Sequence, residues 1–280
     1  MTDFLCCRKT RERDQPRDQL TRPWSSLEEA AGLLERQLVH SVYEEIAGHF
    51  SDTRHKPWPR VAEFLSTLPA WEPVVDLGCG NGKYLGLTRP RWELGGDYSH
   101  NLLQISAGRG HQALRCDLLS VPLRDNCCGG LICIAVLHHL STPARRLEAV
   151  TEMCRVLRPG GRGLVYVWAK EQQREADMSS YLKQNKKNKK KDESQSAVSS
   201  KSEVGEFGLP VHVNRTEFRH QDVLVPWKLK EEGGDREFKR FYHVFESGEL
   251  DSLIGQVDQL NVIDSYYDQG NWCCIFEKVQ

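Results

Sequence analysis

No apolar run in the 280 residues approaches the roughly 18 that a membrane-spanning helix needs. No C-x-x-C pair occurs among the ten cysteines, which removes the zinc ribbon and the dithiol redox motif, so no metal centre is expected. Six cysteines form the vicinal pairs Cys6-Cys7, Cys127-Cys128 and Cys273-Cys274, and the others fall largely in apolar stretches, where cysteine acts as a small hydrophobe. Free thiols in a reducing compartment follow. An excess of one charge is missing too. With 38 Lys and Arg against 39 Asp and Glu, only a local basic cluster could attract a polyanion. The N-terminus lacks an apolar core of signal-peptide type, and Asp3, Glu12, Asp14 and Asp18 speak against a transit peptide. A cytoplasmic location, open to the nucleus, is expected.

What is present is a glycine-rich loop. In Val74-Val75-Asp76-Leu77-Gly78-Cys79-Gly80-Asn81-Gly82-Lys83-Tyr84, an apolar strand ends in an acid and breaks into glycines at every second position. That spacing lets backbone lie against a bulky cofactor, where a Cβ would collide or φ must be positive. The register is G-x-G-x-G, so the dinucleotide pattern, with its third glycine one place later, is not met. A second strand, Trp92-Glu93-Leu94-Gly95-Gly96-Asp97, ends in an aspartate suited to both hydroxyls of a ribose. A third, Gln112-Ala113-Leu114-Arg115-Cys116-Asp117, ends in an acid suited to an adenine amino group. Three carboxylates at successive strand ends favour a cation such as the sulfonium of S-adenosylmethionine over an anionic pyrophosphate. The expected cofactor contacts are Asp76, Gly78, Cys79, Gly80, Gly82, Asp97, Asp117 and Val136, with Cys79 a packing residue without a catalytic role.

Around this motif the chain reads as a doubly wound α/β sheet of the Rossmann-like kind. Residues 1–24 are polar and expected to be a disordered tail. Ser25 or Ser26 can cap a helix with Leu27, Ala31, Leu34, Leu38, Val42 and Ile46 on one face, and after Pro57 and Pro59 a second short helix carries Val61, Phe64, Leu65 and Leu68. These helices are expected to cover the cofactor cleft. Ser99 caps a helix through Leu102, Leu103 and Ile105. The apolar residues 131–136 make a central fourth strand. Thr142-Pro143 opens a helix that continues through Leu157 to Arg158-Pro159-Gly160-Gly161, before a fifth strand over 163–168. The core domain is thus 25–170. Residues 171–208, with Lys183, Lys186, Lys187, Lys189, Lys190 and Lys191, read as a flexible lysine- and serine-rich insertion. Residues 209–280 return to the same domain, with a last helix over 241–254 and an antiparallel hairpin of 262–267 with 271–277.

Several blocks in one order resemble a known family. They are Phe50-Ser51-Asp52-Thr53-Arg54 with Pro57-Trp58-Pro59, Asp76 through Leu85, Ile134-Ala135-Val136-Leu137-His138-His139, Tyr166-Val167-Trp168-Ala169-Lys170-Glu171-Gln172, Asp222-Val223-Leu224-Val225-Pro226-Trp227, and Tyr242-His243-Val244-Phe245 with Gly248-Glu249-Leu250. The chain from about Leu33 onward is similar to the tRNA wobble-uridine carboxymethyl methyltransferases, including the methyltransferase part of the AlkB-type bifunctional enzyme. The resemblance implies S-adenosylmethionine-dependent esterification of 5-carboxymethyluridine in tRNA, with a small zinc-binding subunit as activator. The AlkB-type dioxygenase half is absent from this sequence, so the chain is expected to make the ester without hydroxylating it. The chain departs from the family at Gly129-Gly130, where an aspartate is usual, and at Leu140, where an aromatic is usual.

A carboxylate nucleophile has a pKa near 4 and needs no general base; positioning alone can lower the barrier by roughly 7 to 11 kcal/mol. His138 and His139 follow strand four at the cleft edge, where open α/β sheets bind ligands. His139 is the favoured contact to uridine or its carboxylate, and a loop histidine satisfied by backbone is the alternative for each. Arg54 could grip a phosphate or the carboxylate. Trp58 and Trp168 stack on a base or are simply buried. His212, Asn214 and Arg215 lie in a segment that could close over the site, with Arg215 the candidate substrate contact, while Arg145 and Arg146 are expected on an exposed helix face. Two rivals remain open: a methyltransferase for a small-molecule acid or amine, and a cofactor-binding regulator without catalysis.

Overall fold

The computed structural model describes residues 27–53, 56–88, 91–174, 177–179, 181–182, 204–229 and 234–280. The expected N-terminal tail, Arg54 and the lysine run lie outside the described residues. α1 (Leu27–Glu35) passes through a π-helical turn (Arg36–His40) into α2 (Ser41–Asp52) without a break. Pro59 sits in the first turn of α3 (Pro59–Thr67), where a missing N–H leaves no bond unmade. β1 (Val74–Leu77), β2 (Glu93–Asp97), β3 (Ala113–Arg115), β4 (Cys128–Ile134) and β5 (Leu157–Trp168) follow, with α4 (His100–Gly108) and α5 (Pro143–Val156) as crossovers. Ser99 caps α4 by accepting from the Leu102 amide, and Thr142 caps α5 by accepting from that of Arg145. β6 (Gln173–Arg174) and β7 (Asp177–Met178) form a short ladder, and β8 (Asp222–Leu229) pairs with β9 (Arg236–His243). α6 (Glu249–Ile254), β10 (Leu260–Asp268) and β11 (Asn271–Lys278) complete the chain.

The seven-stranded sheet has the order β10-β11-β5-β4-β1-β2-β3, and β11 is antiparallel to both neighbours. The two-residue period of a strand sends adjacent apolar side chains to opposite faces. Val75, Leu131, Cys133, Val165, Val167 and Cys274 pack with Val150 and Met153 of α5 and Leu253 of α6. Val74, Ile132, Leu164, Tyr166 and Cys273 pack on the other face with Val61, Phe64 and Leu65 of α3. A core layer on each face is what a doubly wound sheet requires. It also splits the vicinal pair Cys273-Cys274 between the two layers. Among the described residues no helix is long and apolar enough to cross a membrane.

Several boundaries differ from expectation. β3 ends at Arg115, short of Asp117. β4 starts at Cys128 and ends at Ile134, because Ala135 takes a positive φ of 62°. α5 stops at Val156, since Pro159 disfavours helix in the residue before it and Leu157 is already extended. The expected helix over 241–254 is instead the end of β9 plus the short α6. Leu224 and Phe241 face Leu38 and Val39, whereas Val223, Val225 and Tyr242 face Phe218. Burial on both sides removes the polar alternation that marks a strand. Arg145 and Arg146 are also not on an exposed face. Arg145 forks onto the buried Glu35 carboxylate, Nε lying 3.0 Å from each oxygen and Nη2 2.7 Å from Oε2, and also contacts Glu28. Arg146 is buried and donates to the Leu140 carbonyl at 3.0 Å. The Arg145 contacts tie α1 to the first turn of α5. At Gly129, a Cβ would overlap the Glu72 carboxylate, which pairs with Arg158 and fills the space next to the strand.

His243 ties β9 to the start of β8 and to α6. Its Nδ1 lies 2.7 Å from Asp222 Oδ1 and its Nε2 2.6 Å from Glu249 Oε1. Carboxylates only accept, so both nitrogens carry protons and the ring is cationic. Burial works against that charge, but the two carboxylates outweigh it and raise the pKa. The stabilisation is therefore complete below the ordinary imidazole value of about 6.5 and is lost as pH rises through the higher folded value. Thermal melts between about pH 5.5 and 9 should show His243→Gln lagging the parent chain most at the acid end, with the gap shrinking as pH rises. A pH-independent gap would contradict the assignment.

Candidate functional site

β1 ends where Gly78 turns to a left-handed φ of 82°. A Cβ there would overlap the Val136 isopropyl group, so only glycine lets the loop pass residue 136. The amides of Gly78 and Cys79 both donate to the Gly96 carbonyl, at 2.7 and 3.0 Å, folding the loop over the end of β2. Asn81 Nδ2 donates to Ser51 Oγ at 2.9 Å, and Arg109 donates to Asn81 O at 2.8 Å and to the same Oγ at 3.0 Å. The loop, the end of α2 and the end of α4 are thereby braced together.

A cavity of about 560 Å³ opens over this loop, and its two sides carry opposite charge. On the acidic side, Asp97 Oδ2 accepts from the Gly80 amide at 2.8 Å and Oδ1 from the Ser99 amide at 2.9 Å. Each oxygen keeps a lone pair, an arrangement suited to two adjacent hydroxyls. Asp117 lines the same wall, with Oδ1 held by the Leu119 amide at 3.0 Å. Asp76 lies beneath the loop, buried, and neither of its oxygens is hydrogen-bonded. Burial, and secondarily the like charge of Asp97, pushes its pKa up to about 8. A sealed carboxylate without a donor is costly unless a cation answers it. The His40 ring stacks on Tyr98 at 3.7 Å where α2 begins to cover this side. An unbonded carboxylate, a diol acceptor and a loop whose Gly78, Gly80 and Gly82 all take positive φ fit S-adenosylmethionine, which carries an ammonium, a sulfonium and a ribose.

The opposite wall is aromatic and cationic. Trp58 stacks on Tyr166 at 5.2 Å with Lys83 Nζ 5.1 Å from its ring, and Trp168 meets Tyr242 edge-on at 4.9 Å. The Arg240 guanidinium is buried between the rings of Trp227 and Tyr242, at 4.7 and 5.1 Å. His138 and His139 sit in a 3-10 turn (Leu137–His139) directly after β4. His139 Nδ1 lies 2.9 Å from the Phe241 carbonyl, which can only accept, so this nitrogen carries the proton and Nε2, at 3.0 Å, accepts from Tyr43 Oη. Burial lowers its pKa to about 3. His138 is also driven well down, by burial and then by His139. Its Nδ1 accepts a long 3.4 Å bond from the Trp168 amide, leaving Nε2 as the donor.

Most of the expected site residues converge here. His138, His139, Gly78, Cys79, Gly80, Asp97, Asp117, Val136, Trp58, Trp168 and Arg215 line the cavity, while Asp76 lies beneath it and Gly82 faces Ser106 and His111. Arg54 lies outside the described residues. His212 points away, stacked on Phe218 at 4.1 Å and bonded to Tyr181 Oη at 2.9 Å; Asn214 and Arg215 reach the mouth, Arg215 with a positive φ of 66°. Cys79 packs with Leu85 and Leu103, and burial raises its thiol pKa far above the reactive range. The residues not anticipated are Tyr43, Trp227, Arg240 and Tyr242. An arginine alternating with Phe238 and Tyr242 was the available signal, hidden because the segment reads equally well as helix. The tripeptide His220-Gln221-Asp222 has the H-x-D spacing of an iron site, but its aspartate is committed to His243. No cluster of three or more potential metal ligands occurs among the described residues.

Comparison with known proteins agrees with this geometry. Residues 75–165 match the model of a methyltransferase domain. The chain is 41% identical to the tRNA (carboxymethyluridine(34)-5-O)-methyltransferase ALKBH8 of Macaca fascicularis over 95% of its own length and 47% of that protein. It is 35% identical to the tRNA (carboxymethyluridine(34)-5-O)-methyltransferase of Schizosaccharomyces pombe, covering 87% of this chain and 97% of that one. The chain thus spans about half the length of its animal relatives and nearly all of the yeast protein. Among solved structures, the CcbJ methyltransferase of Streptomyces caelestis superimposes with a TM-score of 0.58 at 15% identity, over 88% of this chain and 98% of that one. That likeness extends to the fold.

Because the Asp76 pKa is raised, docking a cation beside it drives off a proton below about pH 8. Calorimetry of S-adenosylmethionine binding near pH 7, in buffers of different ionisation enthalpy, should report proton release and an affinity that rises with pH toward about 8. Asp76→Asn should abolish the proton release and weaken binding by about tenfold or more. Unchanged proton release in the variant would contradict the role of Asp76.

Proposed function

Since the chain belongs to the tRNA (carboxymethyluridine(34)-5-O)-methyltransferase family, we propose that it transfers methyl from S-adenosylmethionine to the carboxylate of 5-carboxymethyluridine at the tRNA wobble position. The observation that carries this reading is that, among the described residues, neither histidine beside the aromatic wall is available as a base. Both histidines are neutral and held well below their ordinary pKa. An amine or hydroxyl acceptor would have to lose a proton to a strong enough partner, whereas a carboxylate arrives ionised. Bound in the acidic half, the cofactor supplies an electrophilic methyl on a sulfonium, and transfer to a carboxylate oxygen leaves a neutral ester and a neutral thioether with no proton to move.

The residues then divide by task. Asp97 takes the ribose, Asp117 the adenine amino group, and Asp76 answers the positive charge from below, while Gly78, Gly80, Cys79 and Val136 shape the floor. His138 offers Nε2–H to the uracil or the acid. His139 acts as a positioning residue, because both of its nitrogens are engaged within the protein. Trp58 and Trp168 flank the base, and Arg215, with Arg54, meets the RNA backbone. The partners proposed are tRNA and the small zinc-binding activator subunit suggested by the family resemblance, in the cytoplasm and nucleus.

Incubating the chain, with and without the activator, with labelled cofactor and tRNA bearing 5-carboxymethyluridine should place base-labile label on the wobble nucleoside. Label on free carboxylic acids or amines alone would favour the small-molecule rival. Cofactor binding without transfer to any acceptor would favour the regulator.

A further inference from the structure

Arg240 presents a guanidinium that no carboxylate of the described residues neutralises. Its residue is 4% exposed, its Nε makes no hydrogen bond, and its one bond is a long 3.4 Å contact from Nη1 to Tyr43 Oη. Among the described residues no carboxylate pairs with it. The neighbouring acid on the cavity wall, Glu35, is committed to Arg145 and to the Ser141 amide. The rings of Tyr43, Trp227 and Tyr242 surround the cation at 5.9, 4.7 and 5.1 Å. Such faces recover only part of the hydration that a buried charge gives up. A fork of N–H donors set beside the cavity, with no carboxylate of the described residues in ion-pair reach, has the geometry that carboxylates fit.

Around it the wall is arranged to keep the fork in place and uncompensated. The chain of bonds runs from His139 Nδ1–H to the Phe241 carbonyl, from Tyr43 Oη–H to His139 Nε2, and from Arg240 Nη1–H to Tyr43 Oη. Each donor in this series has its direction set by the next acceptor, so Tyr43 offers Arg240 a lone pair and cannot compete as a negative charge. Neutral His138 and His139 add no positive charge that would pull the anion elsewhere. Arg240 and Tyr242 share one face of β9, opposite Val225 and Val223 of β8, so the hairpin aims the guanidinium toward the wall that carries Trp168.

We propose that Arg240 is the carboxylate-recognising residue of the site and that it selects the acid form of the modified uridine over its uncharged amide. The inference rests on the methyl-transfer reading given above. One carboxylate oxygen docks on the fork, leaving the other free to meet the methyl group. An amide in the same place can turn its carbonyl oxygen to the fork but brings no charge, so the buried guanidinium keeps a hydrogen bond and lacks a counter-ion. An RNA phosphate has the same fork-matching chemistry, and the two sources separate in the test.

Anticodon stem-loops that differ only in carrying carboxymethyluridine or carbamoylmethyluridine are titrated onto the full chain in the presence of S-adenosylhomocysteine. Cofactor-product affinity is measured in parallel. The parent chain should prefer the acid by about 30-fold or more, and Arg240→Gln should weaken acid binding on the order of 100-fold while leaving the amide within a few-fold, so the preference collapses. Affinity for S-adenosylhomocysteine should stay within about twofold, which reports an intact cofactor half. Should Arg240→Gln fail to fold, Arg240→Lys decides. It keeps the charge without the fork and should reduce the acid preference at least tenfold. Equal losses on acid and amide would mean that Arg240 holds a phosphate, and an undiminished preference would mean that it holds neither; each overturns the proposal. If the parent chain binds both stem-loops equally and never methylates the acid, the reading of the site itself fails.

Discussion

A carboxylate sealed beneath the glycine loop, with no donor inside the protein, is the constraint on which the rest of the architecture turns. Asp76 stands at the centre of the parallel sheet, where β1 lies between β2 and β4, and its charge is suppressed by burial and by Asp97. Retaining such a group is unfavourable for the empty protein. It becomes favourable only when a cation is brought over the loop, so the strand order, the positive φ of Gly78 and the pressing contact of Val136 all serve to open that space. The second acid, Asp97, is held by two backbone amides, which fixes its oxygens without using up their capacity to accept.

Across the cavity the sign is reversed. Arg240 is enclosed by aromatic rings rather than acids, and two histidines that would ordinarily titrate near neutrality are kept uncharged by burial. In the proposed reaction a cationic donor and an anionic acceptor brought together between these walls would lose both charges, which needs no proton transfer to either neutral histidine. The helical run from α1 to α2 closes the top through His40, Tyr43 and Phe50, and Glu35 pins it to α5. The β8–β9 hairpin supplies the remaining wall. The segments that complete the site are therefore additions to the sheet, while its cofactor half belongs to the sheet itself.

That division also explains what was legible in the sequence. Glycines at alternate positions, acids at strand ends, the Ser99 and Thr142 caps and the turn before Asn271 are local signals, and each sits where its local chemistry required. The two-faced burial of β9 has no such mark. Arg240, Phe241, Tyr242 and His243 are all buried, so neither a period of two nor one of 3.6 stands out, and the arginine was concealed with its strand. The roles of His139 and Arg145 depend on partners about a hundred residues away, Phe241 and Glu35, which no local pattern encodes.

The pH dependence of the transfer step tests the central claim most directly. With cofactor saturating, so that Asp76 is already ionised, the single-turnover rate on carboxymethyluridine-bearing tRNA should be flat between about pH 6 and 8.5, because the nucleophile is ionised and neither histidine titrates there. A rate that climbs with an apparent pKa of about 6.5 to 7.5 would reveal a working base in the cleft and contradict the account.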